Sequence, residues 1–138
     1  GQTRDYIFGY TILNDVSARD VQTAHKQWYF GKSLDGFTPI GPCIVTADAF
    51  ADYPPRLGIR SFVNGEKRQD SNTALQIFDI DHVIAELSQG MTLKAGTIIA
   101  TGTPAGVGMG MDPPQFLKPG DVVRCEIDGI GTLTNPVR

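Results

Sequence analysis

Apolar and β-branched residues recur in short runs along this chain, separated by glycine, proline or polar clusters. Runs of this kind predict strands at residues 6–14, 43–47 and 97–101. The dipeptides Asn64-Gly65 and Asp128-Gly129 are strong turn signals between apolar runs. They predict two hairpins, one formed by residues 57–63 and 66–70 and the other by residues 121–127 and 130–134.

One segment has a helical period instead. Near residues 80–89, apolar side chains recur at i, i+3, i+4 and i+7, which predicts an amphipathic helix. Asp79 or Asp81 can cap its N-terminus, and Gly90 is placed to end it. The pattern as a whole predicts an α+β fold that is predominantly β, with the strands closing into one sandwich or roll and one main helix packed against it.

Composition narrows the classes of partner. The chain has 138 residues, of which 41% are hydrophobic, so we expect a single domain over residues 1–138. A net charge of -3 without a basic run argues against nucleic acid and anionic membranes as partners, and no apolar stretch approaches the roughly 20 residues of a membrane span. We expect a cytoplasmic protein with a small-molecule partner, in which Cys43 and Cys125 are reduced core residues.

Polar residues with suitable chemistry follow the first predicted strand, at residues 14–22. Asp15 offers the carboxylate oxygen that a hard divalent cation prefers. Arg19 can form a bidentate pair with a carboxylate, either that of a substrate or that of Asp20. A capped turn with a surface ion pair is the simpler interpretation of this segment taken alone.

Two later loops also carry candidate ligands. Lys32 lies in a glycine-bounded loop and can meet an anionic ligand, although a solvated lysine is the simpler interpretation. Residues 101–108 offer threonine hydroxyls and glycine amides, which suit a carboxylate or an oxyanion but also occur in ordinary turns. His25, between the first two segments, can serve as an acid or a base. The histidines and cysteines lack the spacing of a zinc site.

Together, these segments resemble the fumarylacetoacetate hydrolase family, in particular the C-terminal catalytic domain of bacterial 2-hydroxyhepta-2,4-diene-1,7-dioate isomerases and acylpyruvate hydrolases. The resemblance covers the chain from about Tyr6 to Val137. It rests on six blocks in register: GYTILNDVSARDVQ (9–22), QWYFGKSLDGFTPIGPCIV (27–45), VNGEKRQDSNT (63–73), LSQGMTLKAGTIIATGTPAGVG (87–108), FLKPGDVV (116–123) and GIGTLTN (129–135). The resemblance implies a mixed β-sandwich roll.

The resemblance also implies a metal site and the roles of several residues. In the family, three carboxylates hold Mg²⁺ or Mn²⁺, and Asp15 matches one of them. By the same matching, Lys32 is a catalytic group that also binds the substrate, and Gly102 and Thr103 bind the substrate. Arg19 and Gln22 match positions that orient the metal-ligand aspartate or contact the substrate, so Arg19 is expected to be a catalytic residue and Gln22 a substrate-binding residue.

The other family ligands are two glutamates in an E-x-E motif upstream of the first strand, and many relatives carry a catalytic histidine–glutamate pair upstream as well. Residues 1–5 contain neither feature. We therefore expect a domain that is truncated on its N-terminal side and binds metal weakly by itself.

The implied activity is metal-dependent hydrolysis of a C–C bond in a small 2-oxo or diketo acid, through a metal-stabilised enolate. Isomerisation, or decarboxylation of an oxaloacetate-like acid, would use the same enolate. A non-catalytic module for oligomerisation or ligand binding is the alternative of another class, because the E-x-E ligands are absent. In either case we expect a homodimer.

Overall fold

A computed structural model of the chain describes residues 3–24 and 26–138. All of the strand pairs in this part of the chain are antiparallel. They form a two-stranded sheet of order β1-β2 and a four-stranded sheet of order β4-β3-β5-β6. The strands are β1 (Gly9–Leu13), β2 (Ile40–Thr46), β3 (Gly58–Val63), β4 (Glu66–Asn72), β5 (Val122–Ile127) and β6 (Gly131–Pro136), and the helices are α1 (Arg19–Ala24) and α2 (Ile80–Gly90). The predominantly β architecture with one main helix is confirmed.

The β3–β4 hairpin forms across the predicted turn. Asn64 and Gly65 have φ values of 52° and 85°, the left-handed conformation that both central residues of a type I′ turn require. The Asn64 amide also bonds the start of β5: its Nδ2 donates to Asp121 Oδ1 at 2.8 Å, and its Oδ1 accepts from the Val122 amide at 2.9 Å. The turn therefore closes one hairpin and fixes the neighbouring strand.

Helix α2 begins and ends close to the predicted positions. The Asp79 side chain accepts a hydrogen bond from the His82 backbone N–H at 2.7 Å, which satisfies one of the unpaired amides of the first turn. At the other end, the Met91 N–H donates to the Leu87 carbonyl at 3.1 Å. The period and the capping residue were sufficient to predict this helix.

Two predictions about individual segments were wrong. Residues 97–101 form no strand, because a β-branched run becomes a strand only when another strand pairs with it. Cys43 is exposed rather than in the core, because β2 is exposed over most of its length, whereas Cys125 is partly buried and burial raises the pKa of its thiol. Both cysteines are free thiols, as expected.

The core of the described chain is thin. Its buried apolar side chains are Ile12, Val123 and Ile130. The accessible surface is 9560 Å², against roughly 7,000 Å² for an average monomer of this mass. Large apolar side chains such as Ile77 and Tyr6 are 92% and 84% exposed. Within residues 3–24 and 26–138, no helix combines the length and apolar character needed to cross a bilayer.

Candidate active site

The segment that follows β1 meets the loop that carries Lys32. The Asn14 N–H donates to the Pro39 carbonyl at 3.0 Å, so the chain leaves the two-stranded sheet next to the start of β2. The Lys32 ammonium then donates to the Asp15 carboxylate and to the Ser17 hydroxyl, the latter at 3.1 Å. The side chains of Lys32 and Asp15 remain 27% and 42% exposed, so the pair is open to a ligand from solvent.

Close packing at Gly31 brings Lys32 to this position. The Ala18 N–H donates to the Gly31 carbonyl at 2.8 Å, which holds the lysine loop against the start of α1. A Cβ atom on Gly31 would lie 2.7 Å from the Gln22 nitrogen and 2.9 Å from the Ala18 oxygen, so a side chain there would force the loop and α1 apart. On the other side, the Thr38 hydroxyl donates to the Lys32 carbonyl at 2.9 Å.

Arg19 and Gln22 bond each other on α1, the helix that packs against the lysine loop at Gly31. Arg19 Nη1 donates to Gln22 Oε1 at 2.8 Å, and Gln22 is only 3% exposed. Among the described residues, Arg19 forms no ion pair with a carboxylate, so neither Asp15 nor Asp20 is its partner. The roles expected of Arg19 and Gln22 toward a substrate stay predictions.

The loop with Gly102 and Thr103 lies against the edge strand β4 rather than against the lysine loop. Gln69 Nε2 donates to Thr103 Oγ1 and to the Pro104 carbonyl, each at 2.8 Å. A Cβ atom on Gly106 would lie 2.1 Å from the Arg68 carbonyl oxygen, so the loop backbone contacts the strand directly. Gly102 and Thr103 themselves are exposed.

The candidate residues therefore form two groups. Asp15 and Lys32 meet where the lysine loop packs against α1, the helix that carries Arg19 and Gln22, whereas Thr103 bonds Gln69 on β4. No hydrogen bond joins the two groups within the described ranges. His25 lies outside the described residues.

The oxygen atoms that the described residues place around Asp15 and Lys32 are too few to complete the coordination of the expected metal ion. Mg²⁺ requires near-octahedral oxygen ligation, usually with more than one anionic ligand. The described part of the chain contains no cluster of three or more His, Cys, Asp or Glu side chains, and Asp15 already contacts Lys32. By themselves these residues do not fit a divalent cation.

Three residues that matter to the geometry were not among the predicted site residues. Ser17 shares the Lys32 ammonium with Asp15, Gln69 holds Thr103, and Arg68 donates to the Gln115 side chain on the far part of the loop. The polar sequence of β4 resembles an ordinary solvated strand, so it gave no signal for Gln69. These roles depend on contacts between segments that are distant in sequence.

The sequence of this chain is similar to those of two curated proteins that are both named oxaloacetate tautomerase. It is 52% identical over 133 residues to the oxaloacetate tautomerase of Bacillus subtilis, covering 96% of this chain and 44% of that protein. It is 51% identical over 135 residues to the mitochondrial oxaloacetate tautomerase of Xenopus laevis, covering 96% of this chain and 42% of that protein. The chain thus spans less than half the length of these curated relatives.

Solved structures give the same family. The fumarylacetoacetate hydrolase of Exiguobacterium antarcticum superposes with a TM-score of 0.95 at 52% identity, over 99% of this chain and 49% of that one. The 2-hydroxyhepta-2,4-diene-1,7-dioate isomerase of Mycobacterium marinum gives a TM-score of 0.85 at 47% identity, over 98% of this chain and 49% of that one. The sequence profile of the fumarylacetoacetate (FAA) hydrolase C-terminal region matches residues 1–138. The chain therefore belongs to the fumarylacetoacetate hydrolase family.

Proposed function

We propose that this chain forms part of the active site of an enzyme that interconverts the keto and enol forms of a small 2-oxo dicarboxylic acid such as oxaloacetate. The observation that carries the proposal is the partly exposed cluster of Lys32, Asp15 and Ser17. The names of two relatives at 52% and 51% identity support tautomerisation over C–C bond hydrolysis.

The chemistry of tautomerisation needs charge stabilisation more than it needs a nucleophile. A general base, or water, takes the C3 proton, the electron pair of the C3–H bond forms the C2–C3 double bond, and the carbonyl π electrons move onto the C2 oxygen, giving an enolate that is then protonated. An ammonium has three N–H donors, of which Lys32 uses two on Asp15 and Ser17. The third can donate to a substrate carboxylate or to the developing enolate oxygen, a preorganised interaction that is strongest when the charge forms.

The divalent cation expected from the family has a limited place in this proposal. Asp15 would be one oxygen ligand of Mg²⁺ or Mn²⁺, and the remaining anionic ligands would have to come from other residues of the assembled protein. When bound, such an ion would polarise the 2-oxo group. Asp15 holds the Lys32 ammonium in place whether or not the cation is bound.

Hydrolysis of an acylpyruvate-like diketo acid is the second candidate function. The Exiguobacterium antarcticum structure, named a fumarylacetoacetate hydrolase, supports it at 52% identity. Hydrolysis and decarboxylation would each produce an enolate at the same 2-oxo group, so the same cluster would serve all three reactions. Only the bond that breaks differs.

Two parallel assays on the protein that carries this sequence separate these candidates. One follows the loss of the enol absorbance of oxaloacetate, and the other follows pyruvate release from an acylpyruvate; each is run with Mg²⁺, with Mn²⁺ and with a chelator. We expect tautomerisation to be the faster reaction. Cleavage without tautomerisation would support the hydrolase instead. If neither reaction occurs and calorimetry shows no heat with Mg²⁺ and oxalate, the chain is a non-catalytic module.

We also propose that the protein is a cytoplasmic homodimer. The cytoplasmic location is supported by the two free thiols, which fit a reducing compartment.

The dimer is supported by the large accessible surface and by exposed apolar side chains such as Ile40 and Ile44 on β2, which an assembly would cover. Sedimentation velocity should give twice the monomer mass, and Ile44→Glu should shift the equilibrium toward monomer. A monomer at all concentrations would contradict the dimer.

A further inference from the structure

We infer that Gln69 is a positioning residue that presets the Thr103 hydroxyl as a hydrogen-bond donor toward an anionic oxygen of the substrate. The inference rests on the proposed function, because it takes the ligand of Thr103 to be the 2-oxo acid proposed above as the substrate. It adds a residue that the sequence pattern did not indicate, and it predicts which chemical groups the site accepts.

The orientation of the Gln69 amide follows from its three partners. Ser61 lies directly opposite Gln69 on β3, and its hydroxyl is 2.8 Å from Gln69 Oε1. The carbonyl oxygen of Pro104 lies 2.8 Å from Gln69 Nε2 and can only accept, so the NH₂ group must face the loop. The Ser61 hydroxyl then donates to Oε1, and both ends of the amide are satisfied.

This orientation determines the role of the Thr103 hydroxyl. The NH₂ group has two hydrogens, and it donates them to Pro104 O and Thr103 Oγ1. Because Thr103 Oγ1 accepts from Gln69, its own hydrogen points elsewhere, and the described residues offer it no acceptor. Thr103 is exposed, so a ligand can reach this hydrogen.

The loop is also held firmly enough for this contact to persist. Next to Gln69, the Arg68 carbonyl lies against Gly106, where no side chain would fit. The Arg68 guanidinium donates to Gln115 and forms an ion pair with Glu66 at 3.3 Å. Arg68 therefore holds the loop at Gly106 and at Gln115, both C-terminal to the Gln69 contacts, and this restricts the movement of Thr103.

The expected consequence is selectivity for acceptors. Either oxygen of a carboxylate, or an enolate oxygen, can accept the free Thr103 hydrogen, whereas an amide analogue offers an acceptor on only one of its two terminal atoms and carries no charge. A substrate carboxylate should therefore bind better than its amide.

Gln69→Glu tests the inference directly. An introduced carboxylate cannot donate, so the Thr103 hydroxyl would donate to it instead of to the substrate. For oxaloacetate we expect KM to rise about 10- to 100-fold, with a smaller change in kcat. KM should recover as the pH falls and the introduced carboxyl becomes protonated, a recovery that a purely structural defect would not give.

Thr103→Val and the matched control Gln89→Glu complete the experiment. Gln89 is exposed on α2, and within the described part of the chain the one side-chain hydrogen bond it forms is to Glu86, so its variant should behave as the wild type. Thr103→Val should raise KM as Gln69→Glu does, and the double variant should be no worse than Thr103→Val alone. If circular dichroism shows that Gln69→Glu does not fold, Gln69→Met is used instead. We expect KM for oxaloacetate to rise less in Gln69→Met and not to recover at low pH.

Oxalate binding by calorimetry separates this inference from the proposed function. If the wild type turns over oxaloacetate and Gln69→Glu has an unchanged KM, the inference is wrong and the function stands. If the wild type does not turn over oxaloacetate but binds oxalate more tightly than Gln69→Glu and Thr103→Val do, the proposed function is wrong and the inference stands. A wild type that neither reacts nor binds oxalate overturns both.

Discussion

The Lys32 ammonium lies against the Asp15 carboxylate, across 17 positions of sequence. The two charges neutralise each other, yet both side chains are partly open to solvent. Asp15 and the Ser17 hydroxyl fix the position of the ammonium, and a lysine fixed in this way can stabilise an anion with little reorganisation.

Replacing Lys32 by methionine should lower kcat/KM for oxaloacetate by about 10²- to 10³-fold, because the substrate loses a preorganised cationic donor. Lys94→Met is the matched control, since Lys94 is exposed and its side chain forms no hydrogen bond within the described ranges. Steady-state kinetics on both variants give the comparison. An equal loss of kcat/KM in the two variants would show that Lys32 has no specific role in the active site.

Gly31→Ala should destabilise the protein by about 1–3 kcal/mol, because the added Cβ would overpack the contact with α1. Gly90→Ala is the control: nothing lies within 4 Å of a Cβ at that position, and alanine is the better helix former. Urea denaturation should show a lower free energy of unfolding only for Gly31→Ala. An unchanged value for Gly31→Ala would mean that the loop can move away from α1 without cost.

Asp79→Ala should lower the free energy of unfolding by about 1 kcal/mol, because the His82 amide loses its side-chain acceptor. Asp35→Ala is a suitable control, as Asp35 is an exposed loop residue outside the helices. Equal stability of the two variants in urea would show that the cap contributes nothing.

Asp121→Asn should change the pH dependence of stability. Hydrogen bonds from Asn64 Nδ2 and from the Lys118 N–H, each at 2.8 Å, hold the pKa of Asp121 below its usual value. A carboxyl with a lowered folded-state pKa contributes stability above its unfolded-state pKa, and this contribution is lost as the pH falls through the folded-state value. The wild type should therefore be the more stable protein at neutral pH.

The stability difference between the wild type and Asp121→Asn should shrink in urea titrations below about pH 4. A difference that stays constant from neutral to acid pH would show that the charge of Asp121 is not responsible.

Local sequence determined the elements whose signals are local. The period of α2 with its Asp79 cap, and the Asn64-Gly65 turn, specify backbone conformations through neighbouring residues alone. The motif blocks around Asp15 and Lys32 likewise indicated the family without any structure.

Tertiary structure decided everything that depends on a distant partner. Residues 97–101 have the composition of a strand, but no strand among the described residues pairs with them, and composition cannot supply a partner. The Gln69–Thr103 contact joins residues 34 positions apart, and the Asp15–Lys32 contact joins two segments that pack closely at Gly31. The sequence by itself identified residues with suitable chemistry, whereas the packing of loops on helix and sheet decided which of them meet, because side-chain geometry is set by contacts that lie far apart along the chain.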